Sequence, residues 1–554
     1  MLHCYYQLYR VRTFIALALT VLVASYPTRK VQASAGDLDP TFGAGGKVTT
    51  DFFGNSDEVR DVVIQPDGKI IAVGFVYNPI TQGDFGLVRY NNKGGLDPTF
   101  GIGGKVTTDF LNISSFGSSD AANAVALQPD GKLVVAGLAG AGAFSFGLAR
   151  YEADGSLDSA FGSGGRVTTG FPGHDAVATD VAILPDGKII AVGLTNTFVK
   201  FVLKPDFAIA RYNLDGSLDS TFGVGGKVTT DFRGLGLGDS ASAAAIQVDG
   251  KIVVAGSSEV SAFAPDLTQF SIARYNIDGT LDSTFGVGGK VSPFFFGGFD
   301  QAHGLALLPN GKIIVCGVAT NNHLPSESDF AMIRLNSDGS IDPSFGSNGR
   351  VTTDFSSEFD SAGDIAVQSD GKIVLAGVVS KGWFQDSTDF AIARYNPDGG
   401  LDANFGSGGK VTTDFFGFTN QASAVVIQQD GRILVAGRAN TFEVGDFALA
   451  RYDGNSFDIC LQDDGGSNLL QLNSTTGDYL FTNCSGFTTG GTAALTKRGG
   501  VITLQQNAPD RRLLATVDAS ANKGTASMQV FSKGATFTIT DRNTLNNTCS
   551  CGAH

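Results

Sequence analysis

The chain is poor in the residues that carry most enzyme chemistry. Its 554 residues include five histidines, six cysteines, three methionines and one tryptophan, and only 17% are charged. HExxH, GxSxG and CxxC motifs are all missing, which removes the usual sequence support for a metalloprotease, a nucleophile-elbow hydrolase or a thioredoxin-like redox site. The 3.6-residue apolar spacing of an amphipathic helix is missing too. Long apolar runs are absent except for "TFIALALTVLVA" near the start, whose twelve residues are too few to span a bilayer as a helix. Arg10 and Arg12 precede that run and the small triplet Ala33-Ser34-Ala35 follows it, so residues 1–35 read as a secretory signal, with an uncleaved anchor as the alternative. Without them the chain has 35 basic against 54 acidic residues, a net charge of −19. A surface of that sign repels phosphate backbones and argues against a nucleic-acid partner.

The cysteines divide by position. Cys4 goes with the leader, and Cys316 stands where other copies of the same apolar pattern have alanine, so it reads as a small buried hydrophobe. Cys460, Cys484, Cys549 and Cys551 lie together near the C-terminal end. In an exported chain they predict two disulfides. One residue separates Cys549 from Cys551, which disfavours a bond between them, so each is expected to pair with Cys460 or Cys484. A zinc site is the rival, and its usual ligand spacings are lacking.

What the chain has in abundance is glycine, 74 residues, and repetition. "LDPTFGIGGKVTTDF" at Leu96 recurs nearly unchanged at Leu38, Leu157, Leu218, Leu281 and Leu401, and at Ile341 with isoleucine leading. Successive starts are 58, 61, 61, 63, 60 and 60 residues apart, the signature of a repeat architecture. One unit reads "GKVTTDF", a variable loop, "AVALQPDGKLVVAG", a second variable loop, "FGLARY" and a glycine-rich connector. Its apolar runs are short, β-branched or alternating, and bounded by turn residues, with "PDG" as a hairpin turn. That predicts four strands per unit, labelled d, a, b and c in chain order.

Such a sheet must pack on its neighbours, either as an open solenoid or as a ring of blades. The repeats begin with a d strand, Lys47 to Phe52, and end with a c strand, Asp446 to Tyr452. Joining these two strands closes a ring without a free edge. The predicted fold is therefore all-β: a seven-bladed β-propeller over residues 36–453, closed by its N-terminal strand. A small disulfide-stapled, β-sandwich-like domain is expected over residues 458–554, from strands such as "GVITLQQ" and "ATFTITD". The units closely resemble the delta-60 repeat family of bacterial secreted or surface proteins over residues 36–453. That resemblance implies a propeller and export, and no reaction.

Whatever every repeat contains most economically serves folding. Arg89, Arg150, Arg211, Arg274, Arg334, Arg394 and Arg451 share one place in strand c. They could be read as an anion ring, but pairing with connector aspartates such as Asp97, Asp158 and Asp219 is the better reading, since an unpartnered buried arginine is costly. "FGIGGKV" suggests a phosphate cradle, yet neither GKS nor GKT follows and no helix begins there. "NLDGSLD" from Asn213 resembles part of a calcium loop. Its spacing departs from the EF-hand pattern, so turn chemistry is preferred and no cofactor is expected, with calcium as the minor alternative.

Strand alternation puts the variable d-to-a and b-to-c loops on one face and the constant turns on the other. A rigid scaffold with diversified loops on one side is a binding-face arrangement. Candidate ligand-binding residues there are Trp383 and Phe384 as stacking aromatics, with Tyr77, Phe299 and Phe296 as weaker ones, and Asp300, His303 and His323 as polar groups. His174 lies on the same face. His303 near Asp300 is the best available base for a lyase or hydrolase, although the rest of a catalytic constellation is missing. The expected function is that of a secreted, periplasmic or cell-surface binding or scaffold protein, monomeric and without a membrane span after cleavage. Its partner would be an extracellular polysaccharide or a protein. A propeller enzyme acting on such a polymer, and a passive surface component, are the alternatives.

Overall fold

The computed structural model describes residues 34–454, apart from short loop segments, together with the backbone of the strands between 459 and 541. Seven strands a form the hub: Asp57–Ile64, Ala121–Leu127, Ala176–Ile183, Asp239–Ile246, Gln301–Leu307, Asp360–Val367 and Asn420–Ile427. Each touches the next, and the seventh touches the first, so the hub is a closed ring. Each carries an antiparallel sheet in the order a-b-c-d. The seventh blade takes its d strand from the start of the chain: Lys47–Thr50 pairs with Gly445–Tyr452 in the register Lys47↔Ala450 to Thr50↔Phe447. Closure by the N-terminal strand is thus realised, and strand c of blade 7 is covered by a d strand as in the other blades.

The repeated residues hold each blade together and tie it to its neighbours. The phenylalanine of "DF" at the end of strand d stacks on a phenylalanine of strand c, as in Phe85–Phe110 and Phe207–Phe232, both with centroids 4.8 Å apart. The tyrosine ending strand c is fully buried and donates its hydroxyl to a d-strand threonine of the preceding blade, as Tyr90 does to Thr50 and Tyr151 to Thr108, each at 2.8 Å. Every connector aspartate is paired with the strand-c arginine of its own unit. Arg89 meets Asp97 at 2.9 Å, Arg274 meets Asp282 at 2.8 Å, and Arg451 meets Asp39 at 2.8 Å across the ring closure. Each guanidinium also lies over a connector phenylalanine, 4.7 Å for Arg89 on Phe100, and donates to a backbone carbonyl one repeat further on, as Arg150 does to Leu214. The arginine ring is therefore a set of inter-blade staples.

Two glycine positions are dictated by close approach. Each strand a bulges once, between Val59 and Asp61 in blade 1 and at the equivalent place in the others. The bulge presses backbone against the glycine of strand b: a Cβ on Gly193 would lie 1.9 Å from the Val177 carbonyl oxygen. In the connector, Gly101 has φ of 51° and a Cβ there would lie 2.3 Å from the Lys105 carbonyl oxygen. That crossing explains "FGIGG" without a phosphate. In the "NLDGSLD" turn the Asp215 carboxylate accepts from the amide and hydroxyl of Ser217, at 2.9 and 2.6 Å.

Ala35, placed in the leader by the sequence, belongs to the propeller: it is buried, and its carbonyl accepts the Gly406 amide at 2.8 Å. In other repeats the same bond is made by the aspartate of a turn, such as Asp154 to Gly101. Cys316 is buried and free, its thiol pushed up by burial.

After residue 457 the strands form separate sheets. Ile459–Gln462, Asn468–Leu472, Asp478–Asn483 and Thr488–Thr492 make one, and five strands from Ala494–Arg498 to Ala535–Asp541 make an antiparallel meander. The Cys460 backbone lies in the first of these strands. Cys484, Cys549 and Cys551 fall outside the described residues, as do the two expected disulfides and residues 1–33.

Candidate functional site

The face bearing the d-to-a and b-to-c loops carries exposed aromatic rings. Phe416 and Phe418, 46% and 38% exposed, lie in the loop entering blade 7; Phe53, 44% exposed, lies in the loop entering blade 1; Tyr77, 39% exposed, ends strand b of blade 1. Ile80 is exposed in the adjoining loop. The backbone beneath is fixed: Asp57 accepts the Phe52 amide at 2.9 Å and the Tyr77 amide at 3.2 Å. The sequence reading missed Phe53, Phe416 and Phe418, although the doubled "FF" after "TTD" in two repeats was the available signal. Phe294 and Phe296 form a similar exposed pair in the loop entering blade 5. Phe299, in the same loop, is half-buried and donates its amide to Thr320 Oγ1 at 2.6 Å. Trp383, Phe384, His323 and His174 fall outside the described residues.

His303 is not a loop residue. It occupies the bulge of strand a in blade 5, where its Nδ1–H donates to the Ala362 carbonyl of blade 6 at 2.7 Å. Burial lowers its pKa, against the smaller effect of that hydrogen bond. Asp300 is fully buried and accepts the Phe295 amide at 3.1 Å. The two residues thus serve different backbone partners, and His303 ties strand a of blade 5 to blade 6.

The hub explains this role. In four blades the bulge residue reaches toward the next: besides His303, Arg60 donates to Asn123 Oδ1 at 2.6 Å, Asn123 to the Ala178 carbonyl at 2.6 Å, and Thr179 to the Ala241 carbonyl at 3.0 Å. Beside the bulge, Asp61, Asp180 and Asp364 each accept one amide of their own strand and one of the next blade, Val125, Ala244 and Val425 respectively, all within 2.8 Å. Burial raises all three carboxyls, Asp180 and Asp364 to about 6, and the neighbouring aspartates raise Asp61 further.

Under the loop-rich face, aspartates also meet between blades. One from the start of strand c, one from the end of strand d and one from the start of the next strand a converge in four places: Asp446, Asp51 and Asp57; Asp84, Asp109 and Asp120; Asp206, Asp231 and Asp239; Asp329, Asp354 and Asp360. In each set a ligand atom from every carboxylate lies within 4.8 Å of the others. Burial, followed by backbone hydrogen bonds that oppose it and by nearby aspartates that add to it, leaves Asp57, Asp120 and Asp239 raised to about 7.

This geometry defines a repeat β-propeller with one diversified face. Seven segments, residues 65–100, 128–161, 184–222, 247–285, 308–345, 368–405 and 428–456, match the family model described as "Domain of unknown function (DUF5122) beta-propeller". The repeats are therefore those of a propeller repeat family. No curated protein matches. Among solved structures, a streptogramin B lyase is similar at 9% identity and a TM-score of 0.41, covering 73% of this chain and 97% of its own. The polysaccharide lyase Uly1 is similar at 11% and 0.42, covering 78% and 94%. A virginiamycin B lyase from Staphylococcus aureus is similar at 10% and 0.34, covering 71% and 94%. At these values no activity carries over.

Proposed function

We propose that this chain is an exported, non-enzymatic binding or scaffold protein whose loop-rich face recognises an extracellular polysaccharide or protein. The observation that carries this reading is the row of exposed rings, Phe416, Phe418, Phe53 and Tyr77, at three successive places around the propeller. Flat apolar rings at a solvent-facing edge stack on sugar faces or anchor a protein partner. The scaffold below is held by stapled blades, so the rings are presented with little ordering cost on binding. The resemblance of the repeats to the delta-60 family and the apolar leader support export. The His303–Asp300 pairing that catalysis would need is replaced by backbone bonds.

The test is a glycan array and a protein pull-down with the exported chain, followed by mass spectrometry of any retained polymer. Retention without new reducing or unsaturated ends is expected, and polymer cleavage would move the reading to a propeller lyase or hydrolase. Replacing Phe53 and Phe418 by alanine is expected to weaken the captured ligand about tenfold or more. Trp383→Ala, read separately, tests the aromatic singled out by the sequence.

A further inference from the structure

The four inter-blade aspartate triads differ from ordinary acidic patches in how they are dismantled elsewhere in the same chain. At the equivalent places between blades 2 and 3 stand Ser145, Gly170 and Ala176, so all three acids are lost together. Between blades 4 and 5 stand Gln269, Phe294 and Asp300, with two lost. Between blades 6 and 7 stand Asp389, Asp414 and Asn420, and here the amide nitrogen of Asn420 donates to Asp414 at 3.0 Å and reaches Asp389 at 3.5 Å. A neutral donor has replaced one acid and satisfies the other two. The three interfaces have thus lost three, two and one of the acids.

Three of the four triads contain an unfilled acceptor. Asp84 is 2% exposed; its Oδ2 accepts from Asn78 and Thr81, at 2.9 and 2.8 Å, while its Oδ1 is buried without a hydrogen-bond partner. Asp239 is 1% exposed; its Oδ2 accepts the Phe232 amide at 2.7 Å, while its Oδ1 is buried and likewise unpartnered. Asp446 Oδ1 is a third such atom. A buried carboxylate oxygen without a partner is costly, and several clustered together more so.

We propose that the two triads holding the buried Asp84 and Asp239, Asp84–Asp109–Asp120 and Asp206–Asp231–Asp239, are calcium sites that tie strand c and strand d of one blade to strand a of the next, beneath the loop-rich face. The donor set is all oxygen, carboxylates from three separate strands, which suits a hard cation tolerant of irregular geometry better than the strict octahedron of magnesium. Three carboxylates leave coordination positions for water or loop carbonyls, so modest affinity is expected, about 10⁻⁴ to 10⁻³ M as in extracellular modules. This inference is independent of what the aromatic rings bind.

Equilibrium dialysis of the full exported chain against radioactive calcium at pH 7.5, after chelation and desalting, measures the number of sites. Two ions per chain are expected, and calcium is expected to raise the melting temperature more than equal magnesium. Asp120→Asn and Asp239→Asn recreate the arrangement found at Asn420, so they are expected to fold, with circular dichroism in chelator unchanged. Each is expected to lower the count by one, and the double variant by two. No bound calcium at 5 mM (about five times the weakest expected dissociation constant) would overturn the proposal. So would a count unchanged in both folded variants, which would place the ions elsewhere.

Discussion

At the scale of single residues, Arg150 illustrates what the repeated side chains do. It pairs with Asp158 at 2.7 Å, stacks on Phe161 and reaches the next repeat through Leu214. Arg150→Ala is expected to cost about 3 kcal/mol in a urea titration, because Asp158 keeps only Lys132 as a cation. Arg150→Lys restores part of this, since an ammonium lacks the planar fork. The hub aspartates set a pH dependence of definite sign. Asp180 and Asp364 have folded pKa values of about 6 against an ordinary 3.8. Between those values the folded chain holds more protons than the unfolded one, so their contribution to stability is present below about pH 4 and is lost as the pH rises through about 6. Asp97 and Asp158 act in the opposite direction. Burial would raise them, but hydrogen bonds from Thr99 and Lys132 respectively, with the paired arginines, outweigh it and hold both at about 2, so their contribution is lost as the pH falls from about 4 toward 2. Melting curves from pH 4 to 7 in chelator, for the parent and for Asp180→Asn with Asp364→Asn, are expected to show a shallower decline in the variant.

At the scale of elements, much was legible because each strand is short and bounded by turn residues. The "PDG" hairpins, the c-to-d crossing and the four strands per unit all follow from local chemistry. The strand-b glycine did not, because its cause lies on another strand: the a-strand bulge brings the Val177 carbonyl against Gly193. Gly193→Ala is expected to destabilise by about 3 kcal/mol. Gly170→Ala, where the nearest atom would be 3.9 Å away, is expected to be neutral or slightly stabilising. Comparing the two denaturation midpoints checks that the bulge, and not glycine loss in general, sets the cost. The candidate site was less legible for the same reason. His303 reads as a loop residue because "FDQAHG" looks like a loop, whereas strand a begins at Gln301 and turns the imidazole toward Ala362.

At the scale of the whole molecule, closure is the property on which all blades depend. Deleting residues 36–53 removes the d strand of blade 7 and exposes the edge Gly445–Tyr452. Earlier melting and aggregation in light scattering are expected, and a permuted chain carrying the same segment after residue 454 is expected to recover. The sequence by itself determined the repeat length, the strand count, the blade number and the strand that closes the ring, because these follow from a period and from which strands lack a neighbour. Only the tertiary structure decided which acids meet. Asp84, Asp109 and Asp120 come from three strands of two blades, and the exposed rings from separate loops of blades 7 and 1. Periodicity reports what each unit does for itself; packing alone brings parts of different units within reach of one ligand.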